Sequence, residues 1–308
     1  MAESKNAITD VPGILVGHAQ HDEARTGVTV VLAPGGAVAA VDVRGGAPDA
    51  IGTDTLQPGN LVEKAHAIVL TGGSAFGLAS VTGVRQWLEE HGEGFDTGVA
   101  KVPIVGGAVL FDLGVGRADV RPDAAMGYAA CATASADEAR VGALGAGSGA
   151  TVGKMMGPQL ASAGGVGTAS IALGGGLVVG ALFAVNALGE VVDPATGQIV
   201  AGIRNPAGSE PAFLETLSVM KQMAGMQASG GNTVIGVVAT NAKLNRALAL
   251  RVAHMAHDGL ARAVRPSHTL YDGDVTFVLC TGQVTADVNV VGAFAAEAVS
   301  AAIVRAVK

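Results

Sequence analysis

Apolar residues follow two different spacings along the chain. Short apolar runs that are rich in β-branched residues predict strands over residues 28–32, 37–43, 67–70, 233–239 and 275–280. Apolar residues at three- and four-residue steps predict helices over residues 75–90, 122–139, 206–227 and 242–264, and a last helix that Asp287 caps. Because strands that alternate with helices are typical of layered α/β proteins, we expect an α/β fold.

One uncharged segment, residues 169–188, has about the length that a membrane-spanning helix requires. Gly174, Gly175 and Gly176 lie at its centre, and no lysine or arginine flanks it closely. These features favour two buried strands joined by a glycine turn. We therefore expect no membrane partner.

The composition indicates a compact globular protein. Of the 308 residues, 49% are hydrophobic, 15% are charged and 46 are glycine, which excludes a disordered or coiled-coil protein. The net charge of −7 and the lack of a basic cluster exclude a nucleic-acid-binding surface. Because no charged linker or regular repeat divides the chain, we predict a single domain over residues 1–308.

The cysteines and the N-terminus both bear on the cellular compartment. Cys131 and Cys280 lie in apolar surroundings far apart in the sequence, which is typical of buried thiols in a reduced protein. The N-terminus is polar where a secretory signal would be apolar. Both observations predict a cytoplasmic protein.

Two kinds of cofactor site are nearly matched. Residues 149–154 resemble a phosphate-binding loop, but Ser148 and Met155 stand where that motif needs glycine and a hydroxyl residue. Two histidine pairs have the spacing of metal ligands, namely His18/His21 and His254/His257 with Asp258, but neither has a thiolate partner or the glutamate of an H-E-x-x-H motif. We therefore expect no metal ion and no organic cofactor.

Thr233 is the main candidate for a catalytic residue. It follows the loop-like run Ser229-Gly230-Gly231-Asn232 and begins a predicted buried strand. A threonine hydroxyl is a weak nucleophile, and some enzymes activate it with its own α-amino group, whose pKa is about 7.7–8.0. That amine becomes free only if the bond between Asn232 and Thr233 is cut. By itself, however, this run is also what an ordinary turn before a strand looks like.

Catalysis at Thr233 would need groups that orient it, donors for the oxyanion and a nearby cation. Polar residues beside apolar runs can supply these groups, namely Asp272, Asp274, Asn186 and Lys154. Each also has a structural explanation. Asp-Gly-Asp is a good turn sequence, the asparagine could end a strand, and the lysine could lie on the surface.

Motifs along most of the chain resemble those of an autoproteolytic peptidase family. This family contains L-aminopeptidase/D-esterases, β-aminopeptidases and the 6-aminohexanoate-oligomer endohydrolases, or nylon hydrolases. The N-terminal matches are Gly13-Ile14-Leu15-Val16-Gly17-His18, Thr26-Gly27-Val28-Thr29-Val30, Asp42-Val43-Arg44-Gly45-Gly46 and Gly72-Gly73-Ser74-Ala75-Phe76-Gly77-Leu78. The C-terminal matches are Gly231-Asn232-Thr233-Val234-Ile235, Thr240-Asn241 and His268-Thr269-Leu270-Tyr271-Asp272-Gly273-Asp274. The threonine and the Asp-Gly-Asp pair favour the nylon-hydrolase branch.

The resemblance implies a fold, a processing step and a set of roles. The fold would be a four-layer αββα sandwich of the N-terminal-nucleophile-hydrolase type, cut by autocleavage into residues 1–232 and 233–308. The implied roles are a nucleophile at Thr233, orienting carboxylates at Asp272 and Asp274, an oxyanion donor at Asn186 and a supporting cation at Lys154. Phe111 stands where relatives carry a tyrosine, so the contribution of that hydroxyl is lost here.

The activity that this resemblance implies is hydrolysis of 6-aminohexanoate oligomers or similar ω-amino-acid amides through an acyl-enzyme. It also implies a small amide or oligoamide as the substrate and a homo-oligomer, either a dimer or a tetramer. Three alternatives stay open: an L-aminopeptidase/D-esterase or β-aminopeptidase, an acyltransferase, and an uncleaved protein without catalytic activity.

Overall fold

The computed structural model describes residues 4–223 and 231–308. The strands are β1 (Leu15–His21), β2 (Thr26–Val43), β3 (Ala50–Ile51), β4 (Lys64–Thr71), β5 (Phe95–Asp96), β6 (Lys101–Val102), β7 (Val105–Val109), β8 (Thr151–Val152), β9 (Ser162–Ala163), β10 (Gly165–Ala172), β11 (Val178–Asn186), β12 (Glu190–Val192), β13 (Ile199–Ala201), β14 (Ile203–Arg204), β15 (Phe213–Leu214), β16 (Thr233–Ala242), β17 (Val264–Arg265) and β18 (Val275–Val284). The α-helices are α1 (Ser80–Glu90), α2 (Ala124–Ala132), α3 (Thr216–Gln222), α4 (Arg246–Ala263) and α5 (Val288–Arg305). Short 3-10 helices span Ile8–Asp10, Ser74–Ala79, Gly145–Gly147, Pro158–Leu160 and Gly174–Gly176.

Strand β2 connects the two halves of the main sheet. Its first half pairs with β1 and β4, and its second half pairs with β18 and, at Ala37 and Val38, again with β4. The pairing register with β4 shifts between Leu32 and Ala37, where Gly35 and Gly36 both have a φ of 76°. The two strands predicted over residues 28–43 are therefore one bulged strand, because these glycines adopt a left-handed conformation without closing a hairpin.

The apolar side chains form three clusters, and these clusters define four layers. One cluster lies between the pair α4 and α5 and the half-sheet β10-β11-β16-β18, a second lies between the two half-sheets, and a third lies under α1 and α2. Neighbouring residues of one strand point into different clusters, as Val237 and Val238 do. This αββα arrangement confirms the predicted fold class.

Several predicted elements are confirmed. The uncharged segment forms β10 and β11 around a glycine turn, and Asp287 caps α5 by accepting a hydrogen bond from the Asn289 N–H. Within the described residues, α5 is also the one helix that is long and apolar enough to cross a membrane. Because 56% of it is buried against the rest of the chain, it has the character of a core helix.

Other predicted helices are shorter than expected. The segment 75–90 starts as a 3-10 helix at Ser74, because Gly73 takes a left-handed conformation before it, and becomes α-helical only at Ser80. The segment 122–139 forms a helix only over α2.

The predicted helix over residues 206–227 is wrong in its first part. That part is loop up to the short strand β15, after which α3 ends at Gln222. Residues 224–227 lie outside the described residues. The last predicted helix before α5 starts at Arg246, because Asn245 caps it and the strand β16 continues to Ala242.

The position of β16 determines where the candidate site lies. This strand runs parallel to β18 and antiparallel to β11, so its first residue lies at the edge where β18 begins and β11 ends. Thr233 is in register with Asn186, and Asp274 directly precedes β18. The topology therefore brings three predicted site residues to one edge of the half-sheet.

Candidate active site

Thr233 is buried at the start of β16, and its hydroxyl donates a hydrogen bond to the carbonyl oxygen of Asn232. The same oxygen accepts a hydrogen bond of 2.9 Å from the Gly273 N–H. A Cβ atom at position 273 would lie 2.9 Å from the Thr233 Oγ1 and 2.8 Å from the Ala47 oxygen. Only glycine therefore fits between the nucleophile candidate and the loop that carries Ala47.

Asp274 connects the start of β16 to the loop before β18. Its Oδ1 accepts a hydrogen bond of 2.7 Å from the Val234 N–H. Its Oδ2 accepts one of 3.0 Å from the His268 backbone N–H and lies 2.8 Å from the His268 Nδ1. The carboxyl group is 1% exposed, so these donors replace the water that it loses on burial. It thus holds the peptide between Thr233 and Val234.

Asp272 lies in the same loop, and its carboxylate accepts hydrogen bonds from Thr269 in that loop and from the backbone of Leu188. Its Oδ2 accepts hydrogen bonds from the Thr269 N–H at 3.1 Å and from the Thr269 hydroxyl at 2.5 Å. Burial raises the pKa of Asp272, and the charge of Asp274 raises it further. The backbone of Asp272 also pairs with that of Asn232 in a parallel β-bridge, directly before Thr233.

Asn186 is fully buried at the end of β11, with its side chain aimed at the peptide upstream of Asn232. Its Oδ1 accepts hydrogen bonds from the Thr151 N–H at 2.9 Å and from the Lys154 Nζ at 2.8 Å. Its Nδ2 donates to the carbonyl oxygens of Phe111 at 3.0 Å and Gly231 at 3.2 Å. In the uncut chain, the candidate oxyanion donor Asn186 therefore contacts the Gly231 carbonyl. The carbonyl of Asn232 is contacted by the Gly273 N–H instead.

The amino group of Lys154 lies at the same place. Its Nζ donates to the backbone oxygen and the Oδ1 of Asn186, both at 2.8 Å, and to the Gly231 oxygen at 3.2 Å. Burial lowers the pKa of Lys154 to about 7, although the charges of Asp272 and Asp112 act to raise it. The structure thus places this lysine inside the site and not on the surface.

Asp112 belongs to the site and was not predicted from the sequence. It is buried, and it accepts hydrogen bonds of 2.7 Å from both the Thr26 hydroxyl and the Gly73 N–H. Burial is the main cause of its raised pKa. A Cβ atom at Gly72 would lie 2.0 Å from the Asp112 Oδ2, so that glycine makes room for the carboxylate. The available signal was a lone acid that ends an apolar run, three residues after the last residue of β7.

A pocket of about 170 Å³ opens beside these groups. It is lined by Phe111, Gly114, Val115, Thr151, Lys154, Pro158, Gly231 and Asn232. The Phe111 ring packs on Gly231, where an added Cβ atom would approach the ring to 2.9 Å. The pocket wall at this position is therefore an apolar ring without a hydroxyl group. Among the described residues, no group of three or more His, Cys, Asp or Glu side chains is placed to hold a metal ion.

The pKa of Lys154 predicts how stability depends on pH. An unfolded lysine has a pKa of about 10.4, so between this value and about 7 the unfolded chain binds more protons than the folded one. The free energy of unfolding should therefore rise with pH in this window, by up to about 1.4 kcal/mol per pH unit from this group. The test uses Thr233→Ala chains, which cannot cut themselves at Thr233. Between about pH 7 and 9, their free energy of unfolding in urea should rise more steeply with pH than that of Thr233→Ala/Lys154→Met chains.

The exposed Lys64 offers the matched control. Adding Lys64→Met to the Thr233→Ala chain should leave the steeper slope unchanged. Equal slopes for all three chains would show that Lys154 keeps an ordinary pKa.

Comparison with known proteins gives a consistent result over nearly the whole chain. A model of peptidase family S58 matches residues 6–308. An uncharacterised aminopeptidase of Mycobacterium tuberculosis is 49% identical over 296 residues, which cover 91% of this chain and 82% of that protein. The 6-aminohexanoate-oligomer endohydrolase of Kocuria is 32% identical over 321 residues, which cover 97% of this chain and 85% of that protein.

Solved structures agree with the family match. A Burkholderia β-aminopeptidase has 26% identity and a TM-score of 0.69, with 99% of this chain and 87% of that chain covered. The L-aminopeptidase D-Ala-esterase/amidase of Ochrobactrum anthropi, described as a variant of the Ntn hydrolase fold, has 20% identity and a TM-score of 0.73. That comparison covers 99% of this chain and 86% of the other and bears on the fold alone. On the family match and these relatives, the chain belongs to peptidase family S58.

Proposed function

We propose that this protein is an autoproteolytic amide hydrolase that cuts itself between Asn232 and Thr233. The observation that carries the proposal is the contact between the Thr233 hydroxyl and the carbonyl of the bond that it would attack. The Gly273 N–H, 2.9 Å from that carbonyl oxygen, supports it because it can stabilise negative charge there.

Self-cleavage would be a shift of the acyl group from nitrogen to oxygen. The Thr233 oxygen forms a bond to the Asn232 carbonyl carbon, the C–N bond breaks, and the hydroxyl proton passes to the departing amine. Water then hydrolyses the ester, which leaves a carboxylate on Asn232 and a free amine on Thr233. That amine is the base that a threonine nucleophile needs.

Hydrolysis of an external amide would repeat this chemistry. The free amine takes the hydroxyl proton, the Thr233 oxygen attacks the substrate carbonyl, and the departing amine receives the proton. Water then releases the acyl group from the ester. Once the Gly231 carbonyl has moved away, the Asn186 Nδ2 and the Lys154 Nζ that now donate to it can contact the substrate. A charged lysine there also favours the deprotonated amine.

The substrate class that we propose is a linear amide such as a 6-aminohexanoate oligomer. The pocket beside Thr233 supports this choice, because Phe111, Val115 and Pro158 give it an apolar wall. The relatives named as 6-aminohexanoate-oligomer endohydrolases, at 32–33% identity, favour the same class. The name of the mycobacterial relative favours an aminopeptidase as the second candidate.

Replacing the proposed nucleophile should keep the chain in one piece. Intact mass spectrometry of the wild-type protein should show two fragments, residues 1–232 and 233–308, whereas Thr233→Ala should remain at 308 residues. Thr240→Ala is the matched control, since Thr240 is a buried threonine near the far end of the same strand. It should cleave like the wild type. Cleavage of Thr233→Ala at the same bond would disprove the proposal.

Asn186 and the Gly273 N–H should differ in the reaction that they support. Asn186→Ala should lower kcat for amide hydrolysis by about 10²–10³, the usual effect of losing an oxyanion donor. Self-cleavage should slow much less, because the oxygen of the cut bond is contacted by the Gly273 N–H. Both rates can be followed by gel densitometry and product release.

Asn241→Ala provides the control, because Asn241 is a buried asparagine whose amide contacts Gly176 and Val178. Its two rates should stay close to those of the wild type. Equal losses of self-cleavage and hydrolysis in Asn186→Ala would contradict the separate roles.

Blocking the substrate amine should separate the two candidate activities. An endo-acting amidase should hydrolyse a 6-aminohexanoate oligomer with an acetylated amino end at a rate within about 10-fold of the free oligomer, since one polar contact is worth about 1.4 kcal/mol or less. An aminopeptidase should not hydrolyse the acetylated oligomer at all. Assays with free and acetylated forms of both 6-aminohexanoate oligomers and β-peptides would decide between them.

A further inference from the structure

His268 has an unusual backbone conformation beside the site. Its φ is 57°, in the left-handed region, which costs a residue with a side chain about 1–2 kcal/mol relative to ordinary conformations. In this conformation its backbone N–H and its ring Nδ1 lie 3.0 and 2.8 Å from the same oxygen, Oδ2 of Asp274. Two donors from one residue therefore hold one carboxylate oxygen.

The surroundings of His268 determine which ring nitrogen carries a proton. An ionised carboxylate only accepts hydrogen bonds, so the Nδ1 facing Asp274 must be the donor. The other nitrogen, Nε2, is buried and has no hydrogen-bond partner within residues 4–223 and 231–308. The ring also packs edge to face on His257, with 4.8 Å between the ring centres.

His257, which packs against the His268 ring, is uncharged at neutral pH. It is fully buried in α4, its Nε2 lies 3.3 Å from the Asp42 carbonyl oxygen, and burial lowers its pKa to about 4. The charged groups behind it, Asp42 and Arg44, pair with each other at 2.8 Å. The carboxylate of Asp274 is therefore the charged group that His268 contacts directly.

We propose that His268 is a positioning residue for the reaction at Thr233, an inference that rests on the proposed function. It holds the Asp274 carboxylate with two donors, so that Oδ1 stays on the Val234 N–H and fixes the peptide that carries Thr233. Its role becomes larger after self-cleavage. Thr233 then has no covalent link to Asn232, and the peptide on its C-terminal side is what orients its amine and hydroxyl.

The test compares two amides at position 268. Asparagine places an N–H where the histidine Nδ1 lies and tolerates a left-handed backbone, whereas glutamine places its N–H at the position of Nε2. His268→Asn should retain kcat within about 3-fold. His268→Gln and His268→Ala should lower kcat about 10- to 100-fold, because a small misplacement of reacting groups has effects of this size. The KM should change little in all three, and self-cleavage should slow less than hydrolysis.

A second measurement follows the hydrogen bond between the His268 Nδ1 and Asp274 and does not depend on activity. Nitrogen-15 NMR of the histidine rings in the Thr233→Ala chain should show a His268 with its proton on Nδ1, and Asp274→Asn should shift that signal. This measurement also keeps the proposal open to disproof if the alanine variant fails to fold. His91→Asn, at an exposed histidine that stacks on Trp87, is the control for the kinetics. It should behave like the wild type.

The outcomes separate this proposal from the proposed function. A wild-type chain that hydrolyses no amide and stays uncut removes the proposed function and the role of His268 together. An active, self-cleaving chain in which His268→Gln and His268→Ala keep their kcat overturns the role of His268 alone. A His268 ring with its proton on Nε2 overturns it as well.

Discussion

The parallel pairing of β16 with β18 is the constraint on which the rest of the site depends. Parallel strands begin at the same edge of a sheet, so Thr233 and the Asp272–Asp274 loop must meet there. The antiparallel neighbour β11 ends at that edge and adds Asn186. Because both faces of these strands are packed in apolar clusters, a shift of register would bury different side chains and is disfavoured.

Burial gives the polar groups at this edge their chemical character. The same removal of water that lowers the pKa of Lys154 raises the pKa of Asp112 and Asp272. The attraction between Lys154 and Asp112 opposes these shifts, but the loss of water has the larger effect on both pKa values. Glycines allow these polar groups to lie so close together, since a Cβ atom at Gly72 or Gly273 would fill the space that the groups occupy.

Apolar spacing is a local property, and it predicted an α/β protein, whereas the family resemblance implied the four layers. Thr233, Asp274 and Lys154 could be named as candidates from their places beside apolar runs and from the matching motifs, and their catalytic roles stay predictions. Local patterns could not predict contacts made across long separations, such as that of Asp112 with Thr26, 86 residues away. They also could not identify the Gly273 N–H as a donor, since a backbone group has no sequence signature. The helix predicted over residues 75–90 lies where expected, but apolar spacing did not show that its first part, Ser74–Ala79, is a 3-10 helix.

The central position of β16 has a consequence for the order of assembly. Its neighbours β11 and β18 lie on opposite sides of the proposed cut, and the apolar cluster under α4 and α5 takes side chains from both parts. A single chain reaches this arrangement by a unimolecular reaction, whereas two separate fragments would have to meet first. Refolding of the cut protein should then depend on its concentration. Folding would therefore have to come before cleavage for assembly to remain fast in dilute solution.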